Sequence, residues 1–251
     1  MTCAISTISV KSALTKSRIY GVEYVINPYR GCQHGCRYCY ATFMLQHAHG
    51  HEHDTWGSFV EVKENLPDVL AGELQRRRKS PGEVMLASVC DPYQPAEAEY
   101  KITRRCLELL HQHGWKIGIL TRSPLVLRDL ALLRDNHASV GFSIPTDNDR
   151  IRQLTEPNAP PIPARIEALR QLHDAGISTW AFIGPILPLN PANLHAQLAP
   201  VVDSVMLSAL NYYDQVNAYF RKVGLGICFN RDFAPKIKAE LRARFAAAHD
   251  A

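Results

Sequence analysis

The sequence predicts an α/β fold in which parallel strands are joined by helices. Two observations predict it. Short runs of apolar, β-favouring residues alternate with stretches of helical periodicity along most of the chain, and those stretches carry residues that start and stop helices. The 251 residues are 46% hydrophobic and 21% charged, and no Gly/Ser-rich linker, charge block or composition shift divides them. That supports one core without help from disulfides, in a single domain over 1–251 with an N-terminal extension over 1–18 and a C-terminal helix over 232–251.

Six runs read as strands. Tyr24 to Ile26 ends the first, Glu83 to Cys90 (EVMLASVC) is the second, and Trp115 to Thr121 (WKIGILT) the third. Val140 to Ile144, Thr179 to Ile183 and Ser204 to Leu207 supply three more. Ser123 and Pro124 stand as N-cap and first helical residue before LVLRDLALL, and Asn190 and Pro191 take the same roles before ANLHAQL. Gly114 and Gly176 end other helices. Between about Glu97 and His113, Ile102, Cys106, Leu109 and Leu110 recur at helical spacing, so one face should pack on a sheet with Cys106 in the core. Pro235 to Ala248, rich in Lys, Arg and Ala, reads as an amphipathic capping helix. Parallel strands joined by helices place every strand's C-terminal end on one rim, and sites are built on that rim.

The net charge of +4 suits a polyanionic partner but falls short of a dedicated nucleic-acid binder. No run of about eighteen apolar residues occurs. The stretch Met1 to Ser17 mixes Ser and Thr with Lys11 and Lys16, so the expected location is the cytoplasm. Three of the seven cysteines fall within eight residues, which in a reducing compartment favours metal ligation over disulfides.

Those three, Cys32, Cys36 and Cys39, form Cys-x3-Cys-x2-Cys in the string NPYRGCQHGCRYCYA that follows the first strand. Soft thiolates at this spacing wrap one face of a metal centre, and Gly31 and Gly35 allow the loop the positive φ angles that wrapping requires. A structural zinc wants four protein ligands and an electron-transfer [4Fe–4S] cluster normally wants four cysteines. Three leave one iron open for a cofactor. A zinc reading remains, with His34 as fourth ligand, in a non-catalytic zinc or iron–sulfur module that binds nucleic acid through its basic segments.

The motif, with Tyr38 before its third cysteine, resembles the radical S-adenosylmethionine superfamily. The fuller string, together with DPYQPAE at 91–97, LTRSPLVLRDLALL and LTEPNAPPIPARIEALRQLHDAGI, resembles the spore photoproduct lyase-like branch, related to DNA repair photolyases. The resemblance implies a partial (β/α)6 barrel of the TIM type. It also implies a [4Fe–4S] cluster held by Cys32, Cys36 and Cys39, whose fourth iron chelates S-adenosylmethionine. One electron then yields a 5′-deoxyadenosyl radical that takes hydrogen from the substrate. A reductant such as flavodoxin or ferredoxin, and a nucleic acid substrate, are implied as partners.

The same resemblance assigns further cofactor-binding residues. Tyr38 occupies the aromatic position whose backbone approaches the adenine. Asp91, where the superfamily has a Gly-Gly-Glu-like motif, offers a carboxylate to the cofactor's ammonium, though Asp-Pro is also a common turn opening. Arg122 matches a basic position that meets the methionyl carboxylate, and a guanidinium suits it by paired N–H bonds. Ser143 resembles a serine that contacts the cofactor. Spore photoproduct lyase has a hydrogen-donating cysteine in the neighbourhood of Cys90, the candidate catalytic residue, but alignment on Asp91 puts Ser88 at that place. Cys90 also reads as a buried strand residue.

Other features have plainer readings. His47, His49, His51 and His53 alternate, so an extended strand would offer imidazoles to a metal, whereas a solvated loop needs none. Arg76 to Lys79 close a helix, where positive charge complements the dipole. Tyr93, Tyr212, Tyr213 and Tyr219 stack on bases if they reach the barrel mouth, and otherwise sit at a core edge. Glu156 and Arg165 match the family pattern without a derivable role.

Overall fold

The computed structural model describes residues 3–19, 21–48, 50–51, 53–77 and 81–250. Among them are strands β1 (Ala4–Ile8), β2 (Thr15–Lys16), β3 (Tyr24–Ile26), β4 (Tyr29–Arg30), β5 (Phe59–Lys63) and β6 (Glu83–Leu86). Then follow β7 (Lys116–Thr121), β8 (Ser139–Ser143), β9 (Ser178–Ile183), β10 (Ser204–Leu207) and β11 (Ala248–Asp250). The main sheet runs β11-β10-β9-β8-β7-β6-β3-β2, and β1-β5-β4 form a small second sheet. In the main sheet β3, β6 to β10 and β11 are parallel and β2 is antiparallel. The six expected strands are therefore consecutive neighbours in an open, partial barrel. Its edges, β2 and β11, do not pair with each other.

Helices α1 (Leu66–Arg76), α2 (Ala96–Tyr100), α3 (Ile102–Gln112), α4 (Leu130–Asp135) and α5 (Asp149–Thr155) cover the outside. They are joined by α6 (Ile162–Asp174), α7 (Pro191–Leu198), α8 (Tyr213–Lys222) and α9 (Phe233–Arg242). Burial alternates along the strands. Ile117, Ile119 and Thr121 of β7 and Thr179, Ala181 and Ile183 of β9 are buried on one face. Leu120 and Phe182, on the other face, line the interior cavity of the half-barrel. Both predicted caps form: Ser123 accepts from Leu125 N (3.3 Å), and Asn190 from Ala192 N (3.0 Å) and Asn193 N (3.1 Å).

Four expectations change. The strand from Glu83 stops at Leu86 instead of Cys90, because the N–H groups of Ser88 and Val89 turn to Asn27 Oδ1 (2.9 and 3.0 Å) and leave the ladder. The helix from Glu97 breaks at Lys101 (φ 53°), because the Glu97 carboxylate accepts from Thr103 N (2.9 Å) and Arg104 N (3.1 Å) and so starts α3 as a separate helix. Cys106 is in the core as expected, but Leu107 is buried where Leu109 is only partly so. The C-terminal helix ends at Arg242, and the chain beyond it adds β11 to the open edge of β10, with Ala248 beside Val205. The N-terminal extension likewise contributes β1, paired with β5.

The basic run after α1 is partly structural. The Arg77 guanidinium lies 4.7 Å from the Tyr24 ring centre and 4.8 Å from that of Trp115. Arg78 and Lys79 lie outside the described residues. A core role for Cys106 has a direct check: Cys106→Ala is expected to lower stability in urea by about 1 kcal/mol while iron bound per chain stays at the wild-type value. A loss of iron would make it a ligand.

Candidate metal and cofactor site

The site begins where β4 delivers the chain to Gly31. Its φ is 82°, and a Cβ there would meet Phe59 O at 2.4 Å, so only glycine lets the loop pass the small sheet. Two tight turns follow, closed by Gly35 N to Cys32 O (3.2 Å) and Cys39 N to Cys36 O (3.1 Å). Gln33 N donates to Gln94 Oε1 (2.9 Å), Ala96 N to Gln33 Oε1 (2.6 Å) and Arg37 N to Thr155 O (2.8 Å), which fasten the loop to its neighbours.

Cys32, Cys36 and Cys39 consequently face a single cavity of about 380 Å³. Its other walls come from successive strand ends: Ser88 after β6, Arg122 after β7, Ser143 of β8, Gly184 after β9 and Ser208 after β10. Burial pushes all three thiols up, Cys36 to about 12. Metal must therefore displace protons from them.

The donor set fits an iron–sulfur cluster better than zinc. A tetrahedral zinc gathers thiolates about 3.8 Å apart around bonds of about 2.3 Å. A structural zinc also wants four protein ligands, whereas the loop brings three cysteines to this cavity. A cluster instead spreads its thiolates over separate irons. His34, the fourth ligand of the zinc reading, does not line the cavity; it is buried behind the loop with Nε2 3.1 Å from Asp91 Oδ2. Among the described residues the alternating histidines form no cluster either. His51 pairs with Asp54 (2.6 Å) and stacks on Phe59, His47 ends a 3₁₀ helix over Tyr40–His47, and His49 lies outside the described residues.

The structure brings Tyr38, Ser88, Cys90, Asp91, Arg122 and Ser143 to this cavity together with the cysteines. Their circumstances differ. The Ser143 hydroxyl is buried with no hydrogen-bond partner, an orphan polar group beside the thiols. Arg122 is 19% exposed, donates through Nε to Glu156 (2.7 Å) and through Nη2 to Tyr38 (3.4 Å), and keeps further N–H groups. Asp91, in contrast, has protein partners on both oxygens: Oδ1 accepts from Tyr93 N (2.9 Å) and Thr121 Oγ1 (2.6 Å), and Oδ2 from Arg122 N (2.7 Å) with His34 beside it. Burial alone would raise this carboxyl, but His34, Thr121 and Arg122 hold it down at about 2. Asp91 thus fastens the loop, as the turn reading of Asp-Pro expects, while it also lines the cavity. Cys90 is a loop residue, partly exposed, with its thiol pushed up to about 12 by burial.

Glu156 and Arg165, silent in the sequence, prove central. Both are fully buried. Glu156 accepts from Tyr38 and Arg122 through Oε1 and from Arg165 Nη2 (2.5 Å) through Oε2, while Arg165 Nη1 donates to Ser143 O (2.8 Å). One carboxylate thus ties together the cysteine loop, the end of β7 and, through Arg165, the end of β8. Reasoning from strand ends alone would also have found Gly184 and Ser208, which close the fifth and sixth strands. Tyr40 and Tyr212 stand at the cavity wall. Of the other tyrosines, Tyr93 is buried against Asp129 and Tyr219 donates to Leu154 O (2.9 Å).

Burial would raise the Glu156 carboxyl, but Arg165 and Arg122 lower it from 4.5 to about 2. A depressed carboxylate stabilises the fold above its unfolded value, and the effect is lost as pH falls through the folded one. The difference corresponds to about 3 kcal/mol. Stability of the cluster-free protein in urea should fall steeply from pH 4.5 to 2. Glu156→Gln should be less stable at pH 7 and flatten that acid limb; an unchanged limb would remove Glu156 from this role.

Residues 26–196 match the model of the Radical SAM superfamily, a span from the end of β3 into α7 that includes the three cysteines. An uncharacterized protein of Methanocaldococcus jannaschii is 38% identical over 182 residues, 72% of this chain and 67% of that protein. An uncharacterized protein of Mycobacterium tuberculosis is 31% identical over 185 residues, 71% of this chain and 54% of that protein, so the match spans about half of the mycobacterial relative. A solved structure of spore photoproduct lyase with bound AdoMet and dinucleoside spore photoproduct shares the fold, with a TM-score of 0.69 at 16% identity over 98% of this chain and 81% of that one. With its thiols and an orphan hydroxyl facing one cavity at the strand ends, the chain belongs to the radical SAM superfamily, whose enzymes use a [4Fe–4S] cluster and S-adenosylmethionine.

Proposed function

We propose that this protein is an enzyme that reductively cleaves S-adenosylmethionine and acts on nucleic acid. The observation that carries the reading is the convergence of Cys32, Cys36 and Cys39 with Arg122 and the unpartnered Ser143 hydroxyl on one cavity. When bound, the cluster and S-adenosylmethionine supply one-electron cleavage and a 5′-deoxyadenosyl radical for hydrogen abstraction.

The chain's own residues hold and shield. The thiolates of Cys32, Cys36 and Cys39 would hold the cluster. Arg122 meets the methionyl carboxylate through the N–H groups that Glu156 and Tyr38 leave over, and the Ser143 hydroxyl finds its missing partner on the cofactor. Tyr38, its ring anchored by Glu156, presents its backbone at the cavity wall. Leu120, Phe182 and Leu210 give that wall apolar surface that limits water around the reacting atoms. Cys90 stands on the wall as a candidate hydrogen donor. A flavodoxin or ferredoxin is the proposed reductant.

The nucleic acid reading is supported by the shared fold with a lyase solved around a dinucleoside photoproduct and by the net charge of +4. The non-catalytic zinc module loses its argument with His34, which faces Asp91 and not the thiols.

Anaerobic protein reconstituted with iron and sulfide, then given dithionite and S-adenosylmethionine, should release 5′-deoxyadenosine, and Cys36→Ala should not. No product from a fully loaded, reducible cluster would overturn the reading. Ser143→Ala should weaken S-adenosylmethionine binding about 2- to 10-fold at unchanged iron content, the worth of one hydrogen bond. Irradiated DNA is the first substrate to try.

A further inference from the structure

The cavity mouth carries two aromatic rings that the cofactor reading does not use. Tyr40 follows the third cysteine and Tyr212 precedes α8, beyond the end of β10, so they reach the same wall from opposite ends of the chain. Their ring centres are 6.4 Å apart and the planes differ by only 19°. The two residues are 42% and 55% exposed, so they do not form a core pair. At that spacing the two rings form an offset aromatic pair, which presents one nearly continuous flat face at the cavity mouth.

Each ring is held in place. The Tyr40 hydroxyl donates to Ser88 O (2.5 Å). Tyr212 has φ 59° and ψ 48°, a left-handed conformation uncommon outside glycine and found at ligand clamps. Thr42 Oγ1 donates to Gln215 Oε1 (3.3 Å), linking the two segments that bear the rings. Those segments also bear exposed cations, Arg37 on the cysteine loop and Arg221 and Lys222 on α8. The exposed aromatic surface suits a flat base, and the cations at the far end of α8, about 14 Å along the helix from Tyr212, suit phosphates further along a strand.

We infer that Tyr40 and Tyr212 clamp one unpaired nucleobase at the cavity mouth by stacking against it, and so present its nucleotide to the cavity. The inference rests on the nucleic acid reading above and deepens it: the substrate is a nucleotide withdrawn from its stack or already single-stranded. A duplex with all bases stacked offers nothing for the clamp to hold.

Fluorescence anisotropy of the cluster-loaded protein with S-adenosylmethionine tests it, using labelled oligothymidylate and an abasic oligonucleotide of equal length and charge. Tyr212→Ala is expected to weaken oligothymidylate binding about 5- to 150-fold, Tyr212→Phe to keep it, and the abasic strand to bind weakly and alike to all three. Equal affinity of wild type for both strands, or wild-type affinity in Tyr212→Ala, overturns the clamp and leaves a nucleic acid substrate held by charge alone. Binding of neither strand overturns the clamp and the nucleic acid reading together, while 5′-deoxyadenosine release still reads the cofactor chemistry separately.

Discussion

A buried carboxylate without cations beside it would be protonated or would unfold its surroundings. Glu156 stays ionised because Arg165 and Arg122 face it, and the geometry of the whole site depends on that arrangement. The Tyr38 hydroxyl fixes the cysteine loop to it, Arg122 the end of β7, and Arg165 carries the tie on to the backbone of Ser143. Three groups facing the cavity are thereby set by one charge cluster lying behind them. Loops alone would leave them to move independently.

Asp91 does the same work on the other side of the loop. Its two oxygens accept from the backbone of Tyr93 and Arg122 and from the Thr121 hydroxyl, with His34 pressed against them. Both carboxylate oxygens thus have protein partners, which hold the loop beside the cavity that Asp91 also lines. Gln33 and Gln94 complete the fastening by exchanging bonds with backbone groups across the loop. The cysteine segment is irregular backbone, yet it is held at many points, as a segment that must present three thiolates at fixed spacing requires.

The open barrel explains why so many distant residues meet. Six parallel strands end on one rim, and from β6 onward each strand end hands a residue to the cavity within a few positions of its last ladder bond. The sheet is concave, so side chains that point inward at the middle of a strand, such as Leu120 and Phe182, meet in the same space. The outward faces are covered by α1, α3, α4, α6, α7 and α9, whose buried residues share one core with the strands. The chain ends are used as well: β1 builds the small sheet that Gly31 must pass, and β11 covers the edge of β10.

The six strands, the caps at Ser123 and Asn190, and the cysteine loop with its two glycines were all legible in the sequence, because each depends on periodicity or on backbone freedom within a few residues. The thiol spacing and the strand-end placement of Arg122 and Ser143 followed in the same way. Where the strand from Glu83 stops, and why the helix from Glu97 divides, was decided by the side chains of Asn27 and Glu97, which intercept backbone groups from outside the ladder or from the turn before. Above all, the roles of Asp91 and Glu156 were tertiary. A carboxylate's function depends on which donors surround it, and these donors come from segments up to 118 residues away. Local sequence sets what each residue can offer; only the folded sheet decides whether that offer is met by the protein or left facing the cavity.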